Sequence, residues 1–335
     1  MSATPGTVQE IAAADRGAST LRRRLTDQPV IPLLFLLLCL VVLLFVIQPG
    51  FLGRPTNWLS STIRTATPLA LLAACQTLVM LTGGIDLSVA TIATMSAFVM
   101  ATQSAGQGDA VAVLLGILVG ACMGLINGIG IGIFRVQPLI MTLGTGLVGA
   151  GALTVYQKFV LTAGSSVPDP IAWLGGGTSL GFFPNCLLLF VPVAALIIFG
   201  LRRTGYGRML FAVGDNPVAA RLAGVRIWQV LMVLYVISGV LAAVAGIMLA
   251  GVTKTAALGS AEGLLLPSVA AAVIGGTSIF GGRGGYAGSI VGALILTVLT
   301  SMLTVLSAPQ PVRQIIFGAI ILTVAAAYAR LTASR

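Results

Sequence analysis

Apolar runs of membrane-crossing length recur along the whole of this 335-residue chain, and no other feature narrows its fold so far. An α-helix needs about 20 consecutive apolar residues to cross the hydrocarbon core of a bilayer. Runs of that kind fall near 30–48, 64–82, 88–103, 110–134, 138–157, 184–201, 229–252, 264–280, 285–306 and 312–329. The third and eighth are short, and both adjoin glycine-rich breaks. With 57% hydrophobic and only 8% charged residues, the chain carries more apolar surface than water tolerates, so lipid must be its solvent. The expected class is all-α: a polytopic integral membrane protein of about ten transmembrane helices.

An even number of spans places both termini on one side, and positive charge identifies the side. Of the 18 basic residues, Arg54, Arg64, Lys158, Lys254 and Arg313 fall on one side, which leaves 13 on the other. Cytoplasmic loops are the ones enriched in Lys and Arg, so both termini are expected in the cytoplasm. Residues 1–29, rich in Ala, Thr, Ser and Gly, read as a flexible cytoplasmic tail. Arg22, Arg23 and Arg24 ahead of the run Val30 to Ile47 look like a signal peptide, but no small-residue cleavage pattern follows, so this run reads as a retained first helix. Residues 30–330 then form a single transmembrane domain, with 331–335 a second cytoplasmic tail. Two loops are long: an external one at 158–183 and a cytoplasmic one at 202–228 that carries five arginines.

Several function classes drop out on composition. A net charge of +10 raises the question of nucleic acid, yet the arginines sit singly or in short groups between apolar runs, a pattern of topology and not of a binding face. Cys39, Cys75, Cys122 and Cys186 lie far apart inside apolar segments, and the chain has no His, so no metal site is expected. No paired carboxylates and no nucleophile–base set support an enzyme, and no catalytic residue is assigned. A phosphate-cradling loop needs G-x-x-x-x-G-K-[ST], and neither Lys158 nor Lys254 has that context. The chain therefore has no nucleotide-binding domain of its own.

Three stretches carry polar chemistry. In the loop from Thr204 to Arg226, Asp215 or Asn216 can cap a helix, Pro217 suits its first position, and Val218 to Leu222 give one or two turns ended by Gly224. Such a short capped helix is either a docking element or a linker. Around residues 81–90, Gly83 and Gly84 break a helix just before Asp86 and Ser88. A carboxylate at membrane depth faces a cavity or a partner; in a tight turn, Asp86 and Ser88 would instead cap the following helix. A second glycine-dense break contains Gly275, Gly276, Thr277 and Ser278. The two Gly-Gly breaks suggest corresponding points of an internal repeat with broken helices near a translocation path. Asn127 and Gln137 end apolar runs, where interhelical hydrogen bonding and solute contact account for them equally.

Taken together, these motifs resemble the permease subunits of ribose/galactose/xylose-type, or carbohydrate-uptake, ABC importers. The matching stretches are Gly-Gly-Ile-Asp-Leu-Ser (83–88), Gly-Leu-Ile-Asn-Gly (124–128) with Gln-Pro-Leu-Ile-Met-Thr-Leu-Gly-Thr (137–145), Ala-Val-Gly-Asp-Asn-Pro-Val-Ala-Ala-Arg-Leu-Ala-Gly-Val (212–225) and Val-Ile-Gly-Gly-Thr-Ser-Ile-Phe-Gly-Gly (273–282). The resemblance covers about residues 30 to 330. It departs from the family pattern at Asp215, where Gly or another residue more often precedes the Asn.

The resemblance implies a multi-pass protein of the bacterial inner membrane, working with a second permease subunit (the same chain or a paralogue), cytoplasmic ATPase subunits and an external solute-binding protein. ATP and Mg would belong to the ATPase, leaving no cofactor in this chain. It implies a coupling helix within 214–225, with Gly214, Asp215, Asn216, Pro217, Ala219, Ala220, Arg221 and Gly224 contacting the ATPase. The expected pathway or gating residues are Gly83, Gly84, Asp86, Ser88, Asn127, Thr142, Gly275, Gly276, Thr277 and Ser278. The cargo would be a monosaccharide or related small polar solute, a pentose, hexose or polyol, moved inward by alternating access. The rival class is an ion-coupled secondary transporter. Proton coupling calls for intramembrane Asp, Glu or His relays, and acids near the membrane reduce to Asp86, with Asp109 and Glu262 at outer edges.

Overall fold

A computed structural model describes residues 30–160 and 166–333. Residues 1–29 and the end of the chain after Ala333, read above as tails, lie outside the described residues. The helices in chain order are α1 (Val30–Ile47), α2 (Pro55–Met80), α3 (Val89–Gln107), α4 (Asp109–Gly132), α5 (Pro138–Val160), α6 (Asp169–Gly176), α7 (Leu187–Arg203), α8 (Gly205–Asp215), α9 (Pro217–Leu222), α10 (Ile227–Thr253), α11 (Leu265–Ile274), α12 (Tyr286–Val305) and α13 (Gln310–Ala333). Between α6 and α7, two-residue strands β1 (Thr178–Ser179) and β2 (Phe183–Pro184) pair antiparallel, Thr178 opposite Pro184. Short 3₁₀ turns at Pro49–Gly53 and Glu262–Leu264 complete the order.

Each of the ten apolar runs falls on a helix. Six of these helices, α1, α2, α4, α5, α10 and α12, are both long and apolar enough to cross a membrane, and α7 with α8 forms a seventh candidate bent by 67°. The protein is therefore an all-α membrane protein on these helices. Helix α3 is long enough, but Ser, Thr and Gln dilute its apolar character; its Thr94 and Thr102 hydroxyls donate back to the carbonyls of Ala90 and Phe98, which reduces the cost of holding them in an apolar setting.

Boundaries differ from the sequence reading in four places, each with a local cause. Helix α2 begins at Pro55, nine residues before the apolar run, because Pro at the first position starts a helix whose Ser- and Thr-rich first turns are not apolar. The run at 264–280 is helical only to Ile274, since Gly276 turns the chain with φ +90°. The loop at 202–228 holds two helices where one was expected: Thr204 caps α8 by accepting a hydrogen bond from the Gly207 amide. At the other end α13 runs on to Ala333, past the span end at 329.

Helix α2 is the centre of the bundle and is buried almost continuously from Ala66 to Leu81. It packs against α10 on one side and against α11 and α12 on the other. The lipid-facing helices leave large apolar side chains open, as with Val46, Leu147 and Val148, all at least two-thirds exposed. The closest helix pair is α4 with α10. Gly116, Gly120, Gly124, Gly128 and Gly132 repeat every fourth residue and so line one face of α4. A Cβ on Gly120 would overlap the Gly239 carbonyl, and one on Gly124 the Tyr235 carbonyl; on Gly132 it would lie 2.7 Å from the Trp228 carbonyl oxygen. Small residues at this spacing let backbones meet, which is how membrane helices gain dispersion contact where lipid offers no hydrophobic drive. Helices α11 and α12 approach in the same way, with a Cβ on Gly292 overlapping the Ala271 carbonyl.

Candidate functional site

Both Gly-Gly breaks have the same local architecture. At the end of α2 the amide of Gly83 donates to Met80 O (2.9 Å) and that of Gly84 to Val79 O (3.2 Å). At the end of α11 the Gly276 amide donates to Val273 O and the Thr277 amide to Ala272 O, both at 3.0 Å. These are two Schellman caps, with the left-handed glycine at Gly83 (φ +78°) in one and at Gly276 (φ +90°) in the other. The equivalence pairs Gly83 with Gly276, one residue offset from pairing 83–84 with 275–276.

The breaks meet in space, and the 202–228 loop meets them both. The Gly282 amide donates to Leu81 O at 3.0 Å. Gly214, next to last in α8, sits against this contact: a Cβ there would overlap the Leu81 carbonyl and stand 2.6 Å from the Gly282 nitrogen. A Cβ on Gly281 would lie 2.8 Å from Gly214 O and 3.1 Å from the Gly83 nitrogen. Three stretches far apart in sequence thus touch backbone to backbone, without intervening side chains.

The loop helices are built as stiff parts. Asn216 Oδ1 accepts from the amides of Val218 and Ala219, both at 3.0 Å, so Asn216 is the cap of α9 and Pro217 its first residue. Asp215, the other capping candidate, is instead the last residue of α8. Ala220 is buried beneath α9, Ala219 and Arg221 are exposed, and Gly224 takes a left-handed φ of +87° past its end. The Tyr206 hydroxyl ties α8 to the Val230 carbonyl of α10 (2.9 Å).

Asp86, Ser88, Asn127 and Thr142 gather in a second cluster, a buried polar network just above the first break. Asp86 Oδ1 accepts from the Ser88 amide (3.0 Å) and hydroxyl (2.6 Å), and Oδ2 accepts from the Ser238 hydroxyl of α10 (3.0 Å). Asn127 Nδ2 donates to Ser88 Oγ (2.9 Å) and its Oδ1 accepts from Thr145 (2.6 Å). Thr142 accepts from the Leu87 amide (3.0 Å). Gln76 of α2 closes the ring, donating to the Asp86 carbonyl (2.7 Å). This corrects one alternative for Asp86. Ser88 is the cap residue of α3 but its side chain makes no capping bond, and Asp86 reaches only the Ser88 amide, one residue short of the helix. The carboxylate links the start of α3 to α10, Asn127 joins α4 to it through Ser88, and all the donors to the carboxylate are neutral.

Gly275 and Ser278 belong to the packing of the second break. A Cβ on Gly275 would overlap the Ser289 amide of α12, and Ser278 Oγ accepts from the Phe280 amide (3.2 Å). Thr277 Oγ1 and the Tyr235 hydroxyl are buried with no hydrogen-bond partner among the described residues. Tyr235 Oη lies against Gly84, where a Cβ would be 2.9 Å away. Sequence reasoning missed Gln76, Thr145 and Ser238, because a lone polar residue in an apolar run carries no signal of its own. The α4 glycine period is legible in the sequence by its spacing of four.

Similarity to known proteins covers most of the chain. Residues 58–325 match the family described as branched-chain amino acid transport system / permease component. The chain is 38% identical over 288 residues to the galactofuranose transporter permease protein YtfT of Escherichia coli (strain K12), covering 83% of this chain and 81% of that one. It is 32% identical over 292 residues to the ribose import permease protein RbsC of the same organism, covering 86% and 90%. Over 330 residues it is 30% identical to the fructose import permease protein FrcC of Rhizobium meliloti, covering 93% and 90%. No solved structure matches the chain.

Proposed function

The chain belongs to the branched-chain amino acid transport system / permease component family, as a permease of the carbohydrate-uptake ABC type, and from that premise we propose that it carries a monosaccharide inward through the bacterial inner membrane. It is a transport subunit and not an enzyme. The relatives named above take a pentose, a hexose and a furanose by their names, which fits a solute recognised by neutral hydroxyls more than by charge. A second permease subunit, two cytoplasmic ATPase subunits holding ATP and Mg, and an external binding protein complete the machine in this reading.

The observation that carries the mechanism is the contact of α8 with both helix breaks at Gly214. Closure of the ATPase pair pushes on α8 and α9. Because α8 meets Leu81 and Gly281–Gly282 without side chains between, the push reaches the end of α2 and the glycine turn that follows α11 directly and reorients the helices around the path. Asp215, Asn216, Pro217, Ala219, Arg221 and Gly224 serve the ATPase side, buried Ala220 seats α9 on the permease, and Gly214 stands where α8 meets the breaks. Gly83, Gly84, Asp86, Ser88, Asn127, Thr142, Gly275, Gly276, Thr277 and Ser278 serve the gating side.

Charge reversal at the exposed face of α9 tests the docking. Arg221→Glu is expected to leave the permease folded in membranes and to lower both recovery of the ATPase and uptake. Reversing a charge at such an interface costs about 2–5 kcal/mol. Normal uptake with normal complex recovery would reduce α9 to a linker.

Ten spans with both termini inside predict opposite accessibility for the two long loops. The external probe position is Leu180, 85% exposed in the turn between β1 and β2. In a background free of the four native cysteines, Arg203→Cys should label from the cytoplasm and Leu180→Cys from outside with an impermeant reagent. Labelling of both from one side would overturn the ten-span arrangement.

A further inference from the structure

We propose that the pocket at the start of α10 binds the headgroup of an anionic phospholipid. It occupies about 360 Å³ between the end of α4, the end of α9 and the first turn of α10. Arg135, Arg221 and Arg226 all line it, and no carboxylate does. All three are exposed, and together they give the cleft a positive potential that favours an anion; a phosphodiester matches the guanidinium fork in shape and charge.

Two further features point to the same ligand. Helix α10 is 27 residues long and begins at this pocket, yet its cap residue Arg226 offers no side-chain acceptor to the first turn. The amides and the positive end of the helix dipole there are suited to an anion. The remaining wall is apolar, with Ile131, Trp228 and Leu231. Ile133 and Phe134, exposed at 51% and 74%, follow directly on the end of α4. Trp, Phe and Arg together at helix ends mark the depth of the headgroups, and basic pockets between membrane helices at that level take acidic lipids. The apolar wall favours a lipid over the acidic surface of a protein partner. Membrane depth is the only point taken from the transport reading; the docking of Arg221 is not needed.

The test leaves Arg221 in place. Full-length permease in nonionic detergent, given phosphatidylglycerol, should retain it in native mass spectrometry and gain several degrees in unfolding midpoint. Phosphatidylcholine and inorganic phosphate should do neither. Arg135→Gln/Arg226→Gln should retain phosphatidylglycerol about tenfold less or weaker still, and Arg135→Lys/Arg226→Lys should recover most of the retention, which a merely misfolded variant would not. Equal retention by the Gln variant overturns the proposal. So does an equal shift with inorganic phosphate alone, which would make this an ion site. Loss of ATPase recovery in the Gln variant with lipid retention unchanged also overturns it and makes the pocket a protein-docking surface.

Discussion

Gly214→Ala is expected to abolish most uptake while the permease still inserts and recovers its ATPase. The added methyl would overlap the Leu81 carbonyl and press on the Gly282 amide, and these are backbone atoms that cannot swing aside. Overpacking of this kind costs about 1–3 kcal/mol. If that strain falls on one of two conformations, it shifts their balance by about 5- to 150-fold. Gly205→Ala is the control on the same helix, since a Cβ there meets only the flexible Arg208 side chain at 3.7 Å. Uptake per assembled complex should be near normal for Gly205→Ala and lost for Gly214→Ala, with ATP hydrolysis persisting. Wild-type uptake in Gly214→Ala would sink the idea that this contact transmits the stroke.

Asp86 should show a split between assembly and transport. Asp86→Ala strands the Ser88 amide and the Ser88 and Ser238 hydroxyls, each a buried donor worth about 1–3 kcal/mol when left unpaired. Complex recovery is expected to fall sharply. Asp86→Asn keeps an acceptor for Ser88, and Ser238 can turn its hydroxyl to accept from the new amide, so assembly should return. Uptake should not. Asparagine would hold these partners without an ionisable group, so lost uptake with intact assembly would show that the carboxyl group itself is used. Uptake at the wild-type level in Asp86→Asn would make the residue a structural brace.

Much of this was legible in the sequence because membrane helices advertise themselves by length and apolarity. The ten runs found helices, and Asn216-Pro217 announced α9 by cap chemistry that acts between near neighbours. Helix α8 was not legible: Thr204 to Asp215 is short and amphipathic, and reads as loop beside runs of pure hydrocarbon. Nor could the sequence show that Leu81, Gly214 and Gly282 touch, since a glycine kept for close approach looks like a glycine kept for a turn. Gly83 and Gly276 are kept for turns; Gly214, inside a helix, is not. Ser238 was invisible for the opposite reason. Its neighbours on α10 are apolar but for the Tyr235 hydroxyl, and its partner lies 152 residues away.

The glycine stripe of α4 also decides which parts of this molecule can move. Two backbones pressed together have no pliable layer between them, so α4 and α10 cannot slip by part of a turn without driving carbonyls into Cα atoms. Helix α3 joins them, because a Cβ on Gly246 would overlap the Ala93 carbonyl. On the far side of α2, α11 and α12 are joined by the same kind of seam. The bundle is thus two stiff halves with one helix between them. That helix is held to α12 by Thr77 and Ser289 (2.6 Å) and to α10 by Cys75 and the Ser238 carbonyl (3.3 Å). Along the length of α2 those joints are made by side chains, which can turn, stretch and re-form; its end alone, at Leu81, is bonded backbone to backbone, to Gly282. Any rocking of the halves has its axle at α2.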